Sequence, residues 1–307
     1  MRLAALGLAC ALSLPAAHYY VTIAGLGGEP EYGQRFAGWA REIDKLLRAS
    51  GGDARVVTLS GAEATREGVR AALEKVAREA TAEDALVLML IGHGAFDGVE
   101  YKFNLPGPDL SGAELAALLD RIPAGRQLVV NMTSASGASL SALQKEKRIV
   151  ITATRSGRQR DATVFPRYWI EALRDPAADT DKTEVITALE AYRYADQKTV
   201  KFFETQKRLA SEHALLEDTG RGEGVRAPSA ENGQGKLAAA FPLVRFGQAQ
   251  AAARDPEKRK LLARKEELEQ RIDQLKYQKA ALPLEEYRKQ LAALLLELAR
   301  TQAEIDR

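Results

Sequence analysis

The sequence predicts a three-layer α/β/α sandwich with a mostly parallel sheet, followed by a C-terminal α-helical hairpin or coiled coil. Apolar, β-branched segments alternate with segments of helical periodicity up to about residue 175, which is typical of parallel α/β sheets. One of these segments, ALVLMLI, is a continuous apolar run of the kind that parallel sheets bury on both faces. After residue 250 the pattern changes to leucines at heptad spacing among charged residues.

The elements of the sandwich follow from apolar runs, helical spacing and turn residues. Strands are predicted at residues 18–28, 53–61, 85–94, 126–137 and 148–157. Helices are predicted at residues 30–50, 64–80, 110–123 and 164–175. Thr65 and Ser111 precede two of these helices and are the expected N-caps.

The remainder of the α/β domain, which we place at 18–250, has weaker signals. Residues 183–217 are predicted to be mostly helical. The Gly, Pro, Ser and Asn residues of 220–235 predict a flexible loop. Residues 238–247 predict a short edge strand, because Pro242 is unsuited to a central one.

The C-terminal segment 251–307 is predicted to form two helices that break at 281–283. Its apolar positions lie on a heptad-like frame before and after Pro283: Leu261, Leu268, Ile272, Leu275, Leu282, then Leu284, Tyr287, Leu291, Leu294, Leu298, Thr301 and Ile305. Two interpretations stay open. The hairpin packs on its own domain, or residues 256–307 mediate self-association or docking of a protein partner.

The first 17 residues have a basic start, an apolar run and small residues, which is the pattern of a signal peptide. The apolar run is too short to span a bilayer, so we expect no membrane span after cleavage. Cys10, the single cysteine, lies in this segment, and the mature chain would therefore lack a thiol. We expect an exported protein, periplasmic or extracellular, without disulfides.

Charge and glycine patterns exclude two function classes. The chain has 44 Lys and Arg against 42 Asp and Glu, so a nucleic-acid-binding protein is not expected. The glycines of AGLGGEP after the first strand match neither GxGxxG nor Walker spacing, so a nucleotide cofactor is not expected either.

Three polar turns follow predicted strands, and they mark the best candidate site. They are Gly92-His93-Gly94, Ser134-Ala135-Ser136-Gly137 and Arg155-Ser156-Gly157. Because the carboxyl ends of parallel strands meet at one edge of a sheet, we expect these turns to lie together. A His and a Ser delivered by adjacent strands suggest a base and a nucleophile.

The order strand–GHG–FDG, strand–SASG, strand–TATRSG resembles the caspase-like cysteine peptidases, most nearly the legumain-type branch, over about residues 18–215. The resemblance implies a caspase-like fold in which His93 handles protons and the N–H of Gly94 stabilises an oxyanion. It also implies a substrate pocket formed by Ala135, Thr154, Arg155 and Ser156.

The chain departs from this family at two positions. Ser134 stands where the catalytic Cys belongs, and Met132 stands where many relatives have an Asp. A Ser hydroxyl needs a close, oriented base, for which His93 is the candidate because His18 lies at the amino end and His213 in a predicted distant helix. Asp97 either orients His93 or caps its own turn.

Three arginines follow the strand that ends in the predicted pocket. Arg155, Arg158 and Arg160 either favour an acidic ligand or are simply solvated.

Calcium is the one cofactor that the sequence suggests. Asp179, Asp181, Thr183 and Glu190 occupy positions 1, 3, 5 and 12 of an EF-hand-like loop, but Glu184 stands where the turn Gly is expected. The alternative is a polar helix start capped by Asp181 or Thr183. Residues 217–224, EDTGRGEG, are similar to a second, degraded acidic loop.

Three functions stay open. The first is a pseudopeptidase that binds a peptide or protein in its cleft. The second is an active hydrolase that uses Ser134 and His93. The third is a structural envelope protein that acts through its helical hairpin.

Overall fold

The computed structural model describes residues 17–50 and 54–307. The predicted signal peptide and Cys10 lie outside the described residues, apart from Ala17. Ala17 is buried, and its backbone N–H donates a hydrogen bond of 2.6 Å to Asp84.

The described residues alternate between strands and helices for most of the chain. In chain order the elements are β1 His18–Ala24, α1 Pro30–Ser50, β2 Ala54–Leu59, α2 Arg66–Glu79, β3 Ala85–Ile91, β4 Gly94–Phe96, β5 Tyr101–Phe103, β6 Leu110–Ser111, α3 Gly112–Leu119, β7 Arg126–Asn131, α4 Leu140–Leu143, β8 Arg148–Thr152, α5 Phe165–Ala172, β9 Val185–Thr187, α6 Ala188–Thr205, β10 Leu215–Glu217, α7 Lys236–Ala239, β11 Pro242–Arg245, α8 Gly247–Arg254, α9 Arg259–Tyr277 and α10 Leu284–Ile305. Thr65 and Ser111 cap α2 and α3 as predicted.

The main sheet has the strand order β10-β8-β7-β3-β1-β2 in the described part of the chain. All neighbouring pairs are parallel except β10 with β8. Strands β3 and β7 are central neighbours, with Leu90 opposite Asn131. The segments that follow these two strands therefore leave the sheet side by side.

Helices cover both faces of the sheet. Alternate residues of β3 point to opposite cores: Val87 and Met89 pack with residues of α1, α5 and α6, whereas Leu86 and Leu88 pack with residues of α2 and α3. This continuous burial explains why β3 reads as an unbroken apolar run. The predicted three-layer α/β/α sandwich with a mostly parallel sheet is confirmed.

The prediction of helix over 183–217 was wrong at both ends. The β-branched residues of β9 pair with β11 before α6 begins, and β10 adds an antiparallel edge strand to the main sheet. Both strands are three residues long, too short for a periodic signal to distinguish them from helix. The small antiparallel sheet β4-β5-β6 was also missed.

The predicted edge strand near Pro242 is present as β11. It begins at Pro242 and pairs with β9 in a separate two-stranded sheet. Pro242 sits at the first strand position, where its missing N–H disrupts least.

Helices α9 and α10 form the predicted hairpin, with the break between Tyr277 and Leu284. They run antiparallel, since Arg264 pairs with Glu297 and Lys258 bonds the carbonyl of Ile305. Most of the predicted heptad positions form their shared core: Leu268, Ile272, Leu275, Leu282, Tyr287, Leu291, Leu294 and Leu298. Leu284 is an exception, because it is 55% exposed.

The base of the hairpin packs on the α/β domain. Val185 of β9 shares a small apolar core with Ala249, Leu262 and Ile305. Arg245 of β11 also forms two hydrogen bonds, of 2.7 and 2.9 Å, with the Glu266 carboxylate of α9. Of the two interpretations of the hairpin, docking on its own domain is observed at this base. Among the described residues, no helix is long and apolar enough to cross a membrane.

Candidate active site

His93 and Ser134 lie together at the carboxyl edge of the sheet. His93 comes two residues after β3, and Ser134 comes three residues after β7. Gly94, which follows His93, begins β4 and lies against the turn that contains Ser134. The parallel pairing of β3 and β7 thus brings the two predicted turns into contact.

The hydroxyl of Ser134 is bonded to the backbone of Gly94 in both directions. Ser134 Oγ accepts a hydrogen bond of 3.0 Å from the Gly94 N–H and donates one of 3.1 Å to the Gly94 carbonyl. The residue is only 2% exposed. The N–H that the sequence suggested as an oxyanion donor is therefore occupied by the candidate nucleophile.

His93 makes its own contacts, and no hydrogen bond joins it to Ser134 in the part of the chain that the structure describes. Its ring packs edge-on against Tyr32 and Phe36, with ring centroids 5.0 and 5.1 Å apart. Burial lowers the pKa of His93, although a hydrogen bond to the Gly27 carbonyl opposes the shift. Burial thus favours the neutral form of the imidazole.

Asp97 does not orient His93. Its carboxylate accepts 2.9 Å hydrogen bonds from the N–H groups of Val99 and Glu100 and lies 3.5 Å from Lys102. The two backbone donors are the main cause that lowers the pKa of Asp97. The alternative that Asp97 caps its own turn is therefore confirmed.

The turn after β7 is tied to the loop after β8. Ala135 has a left-handed backbone, with φ of 55°, and its N–H donates a 2.7 Å hydrogen bond to the Gln159 carbonyl. Thr154 N–H donates to Ser136 Oγ at 3.0 Å, and Gly137 N–H donates to Thr154 Oγ1 at 2.9 Å. A non-glycine residue in this conformation is costly and persists only where its surroundings hold it.

Two of the predicted pocket residues lie in the interior of the protein. Ala135 and Thr154 are fully buried, so they support the edge from below. Ser156 is half-buried and Arg155 is exposed, and these two residues can reach a ligand.

Sequence reasoning missed a polar network beneath the turn. Tyr101 Oη lies 2.7 Å from Thr133 Oγ1 and donates at 3.2 Å to Asn131 Oδ1. Asn131 Nδ2 donates in turn to Ser139 Oγ at 2.9 Å. Asn131 is the single amide in the apolar run LVVNM. It could have indicated this network, because a buried polar group requires hydrogen-bond partners.

Basic groups line one side of the edge. Arg155, Arg158 and Arg160 are all exposed. His213 lies next to them, because its Nδ1 is hydrogen-bonded to Gln159 Nε2 at 2.7 Å. The prediction of His213 in a distant helix was wrong: it lies in the loop before β10, the strand that periodicity could not detect.

The predicted calcium residues come together at the start of α6. Oxygen atoms of Asp179, Asp181 and Glu190 lie within 4.8 Å of one another. Both oxygens of Glu190 accept hydrogen bonds from threonines, including Thr187 in a capping box. The N-cap of α6 is thus Thr187, and the prediction of Asp181 or Thr183 as the cap was wrong.

The other members of this loop also have protein partners. Asp179 accepts hydrogen bonds from the N–H groups of Thr183 and Glu184, both at 3.1 Å. Thr183 Oγ1 donates to the carbonyl of Val185 at 3.4 Å. The calcium site stays a prediction.

Two of the solved structures that are similar to this chain are caspases. No family model matches the chain, and no curated protein matches its sequence. The Drosophila initiator caspase Dronc is similar with a TM-score of 0.46 and 10% identity, covering 69% of this chain and 82% of that chain. Caspase-1 from Spodoptera frugiperda is similar with a TM-score of 0.47 and 13% identity, covering 67% and 87%. Both similarities are at low sequence identity.

Proposed function

We propose that this chain is a pseudopeptidase: a caspase-like domain, nearest the legumain-type branch, that binds a peptide or protein segment at its sheet edge without cleaving it. The observation that carries the proposal is the pair of hydrogen bonds between Ser134 and Gly94. They engage the proton of the hydroxyl and the N–H that an oxyanion would need. A serine nucleophile requires that proton to be aimed at a base.

The basic side of the edge supports an acidic ligand. Arg155 and Arg158 are exposed beside the turn that carries Ser134, and guanidinium groups bind carboxylates through paired hydrogen bonds. We therefore expect the bound segment to carry an Asp or Glu.

An active serine hydrolase is the second candidate. His93 favours it, since burial lowers the pKa of its ring and so favours the neutral form that a general base needs. This function requires Ser134 to rotate away from Gly94 and toward the imidazole.

The proposal also includes the location of the protein and a role for its hairpin. The N-terminal pattern supports export to the periplasm or the exterior. The part of the hairpin beyond its docked base offers a surface for a protein partner or a second copy.

The decisive experiment compares peptidase activity on a mixed peptide library for the unaltered protein, Ser134→Cys, Ser134→Cys with His93→Ala, and Ser134→Ala. The proposal expects activity only in Ser134→Cys, because a thiolate needs less help from the base. Ser141→Ala in the Ser134→Cys background, at an exposed position of α4, is the control and should retain activity. Cleavage by the unaltered protein that Ser134→Ala abolishes would establish the hydrolase instead.

Binding is measured separately with acidic and amide-matched peptides in fluorescence anisotropy. Arg155→Gln should weaken binding of the acidic peptides about tenfold, which corresponds to one charge-assisted contact. Arg121→Gln, an exposed arginine at the opposite edge of the sheet, should leave it unchanged. Equal affinity for acidic and amide peptides would contradict the acidic preference.

A further inference from the structure

Glu217, the last residue of β10, is a fully buried carboxylate with one unsatisfied oxygen. It is 0% exposed. Oε1 accepts three hydrogen bonds, from Thr219 N–H at 2.8 Å, Thr219 Oγ1 at 2.7 Å and Arg221 N–H at 3.2 Å. Oε2 is buried and has no hydrogen-bond partner among the described residues.

A second unsatisfied oxygen lies on the same side of the sheet. Leu216 packs in the core that contains α5 and α6, so the side chain of Glu217 points to the opposite face, that of Val150 and Leu143. Gln144 follows Leu143 directly. Its Oε1 is also buried without a partner among the described residues.

The loop that follows β10 contacts both side chains, because Arg221 N–H bonds Glu217 and the next residue, Gly222, packs on Gln144. Val225 returns to pair with Leu216, which closes the loop. Gly222 packs on the amide of Gln144, because a Cβ added there would lie 2.7 Å from both its oxygen and its nitrogen. Gly220 and Gly222 have φ of 75° and 73°, so the coiled loop requires glycines.

A buried carboxylate needs a compensating charge or a proton, because its desolvation is expensive. No lysine or arginine forms an ion pair with Glu217 in the described parts of the chain. The neighbouring Asp218 does not share the site, since its carboxylate caps α7 by accepting hydrogen bonds from Gly235, Leu237 and Ala238. The two buried atoms without a partner among the described residues, Glu217 Oε2 and Gln144 Oε1, are both oxygens. Hard cations prefer oxygen ligands.

We propose that Glu217 and Gln144, with carbonyl oxygens of the loop 218–224, bind a hard divalent cation of the calcium class. This loop is the second acidic segment that the sequence singled out. The loop of Asp179 and Glu190 differs, because both oxygens of each of these carboxylates accept protein donors, whereas Glu217 Oε2 has no partner among the described residues. The cation would fasten the loop to β10, the strand that follows the His213 segment of the candidate site.

The test is thermal unfolding of chelator-treated protein with CaCl₂, MgCl₂ or NaCl at constant ionic strength. Millimolar calcium should raise Tm by about 2–5 °C, as expected for a site with Kd of about 0.1–1 mM. Glu217→Gln should abolish the shift. Asp181→Asn, in the other acidic loop, is the matched control and should retain it.

A gain of affinity provides a second readout that remains usable if Glu217→Gln fails to fold. Gln144→Glu adds a charged ligand and should lower Kd for calcium about tenfold in isothermal titration calorimetry. The absence of any calcium response in the unaltered protein overturns the proposal. A response lost in Asp181→Asn but kept in Glu217→Gln overturns it in favour of the other loop.

Discussion

The hydroxyl of Ser134 and the backbone of Gly94 are joined by two hydrogen bonds, of 3.0 and 3.1 Å. They connect the turn after β7 to the first residue of β4, next to His93. The candidate nucleophile therefore acts as a structural tie between the two turns of the site. A hydroxyl can both donate and accept at this point, which a thiol does much more weakly.

Ser134→Ala should lower the free energy of unfolding by about 1–3 kcal/mol, because it leaves the N–H and carbonyl of Gly94 without their partner. The measurement is urea unfolding followed by circular dichroism. Ser141→Ala, at an exposed position of α4, is the control. Equal stabilities of the two variants would show that the tie contributes nothing.

Gly94→Ala should destabilise the protein more strongly, by about 3 kcal/mol or more, because there is no room for a side chain. A Cβ would overlap the Ser134 carbonyl oxygen and lie 2.6 Å from the Tyr101 ring. Gly33→Ala is the matched control, since a Cβ there has no neighbour within 4 Å and alanine favours the helix α1. Tm measured by differential scanning fluorimetry should fall only for Gly94→Ala.

Glu212 should make stability depend on pH. It is 4% exposed, and burial raises its pKa to about 7 although the N–H groups of Val164 and Phe165 oppose the shift. The unfolded chain titrates near 4.5. The stabilisation is therefore complete below pH 4.5 and is lost as the pH rises through 7, by up to about 3 kcal/mol.

Urea unfolding between pH 4 and 8 measures this effect. Glu212→Gln, which cannot titrate, should remove a decline in stability over pH 4.5–7 that the unaltered protein shows. Glu204→Gln, an exposed residue of α6, should keep the decline. An identical pH profile in Glu212→Gln and the unaltered protein would refute the role of Glu212.

Glu266→Gln should loosen the hairpin from the α/β domain. The side chains of Arg245 and Glu266 are each 17% exposed, and removing one partner leaves a largely buried guanidinium uncompensated. We expect a loss of about 2–4 kcal/mol in stability and faster proteolysis between α8 and α9. Glu285→Gln, from the exposed pair with Arg288, should change neither quantity.

Local sequence patterns predicted most of the sandwich and the location of the candidate site. Continuous apolar runs and helical spacing are local signals, and they sufficed for the five parallel strands β1, β2, β3, β7 and β8. The glycines around His93 and the small residues after β7 marked the ends of two of these strands. Since the carboxyl ends of parallel strands meet at one edge of a sheet, the sequence also predicted that His93 and Ser134 lie close together.

The contacts of those residues could not be predicted from local patterns. Ser134 bonds Gly94, 40 positions away in the chain, and the ring of His93 packs against Tyr32 and Phe36 of α1. Short strands such as β10 could not be predicted, because three residues are too few to show a hydrophobic period. The position of Glu217, the last residue of β10, could therefore not be predicted either. Hydrogen-bond partners and burial depend on packing between distant segments, and no local pattern of residues encodes them.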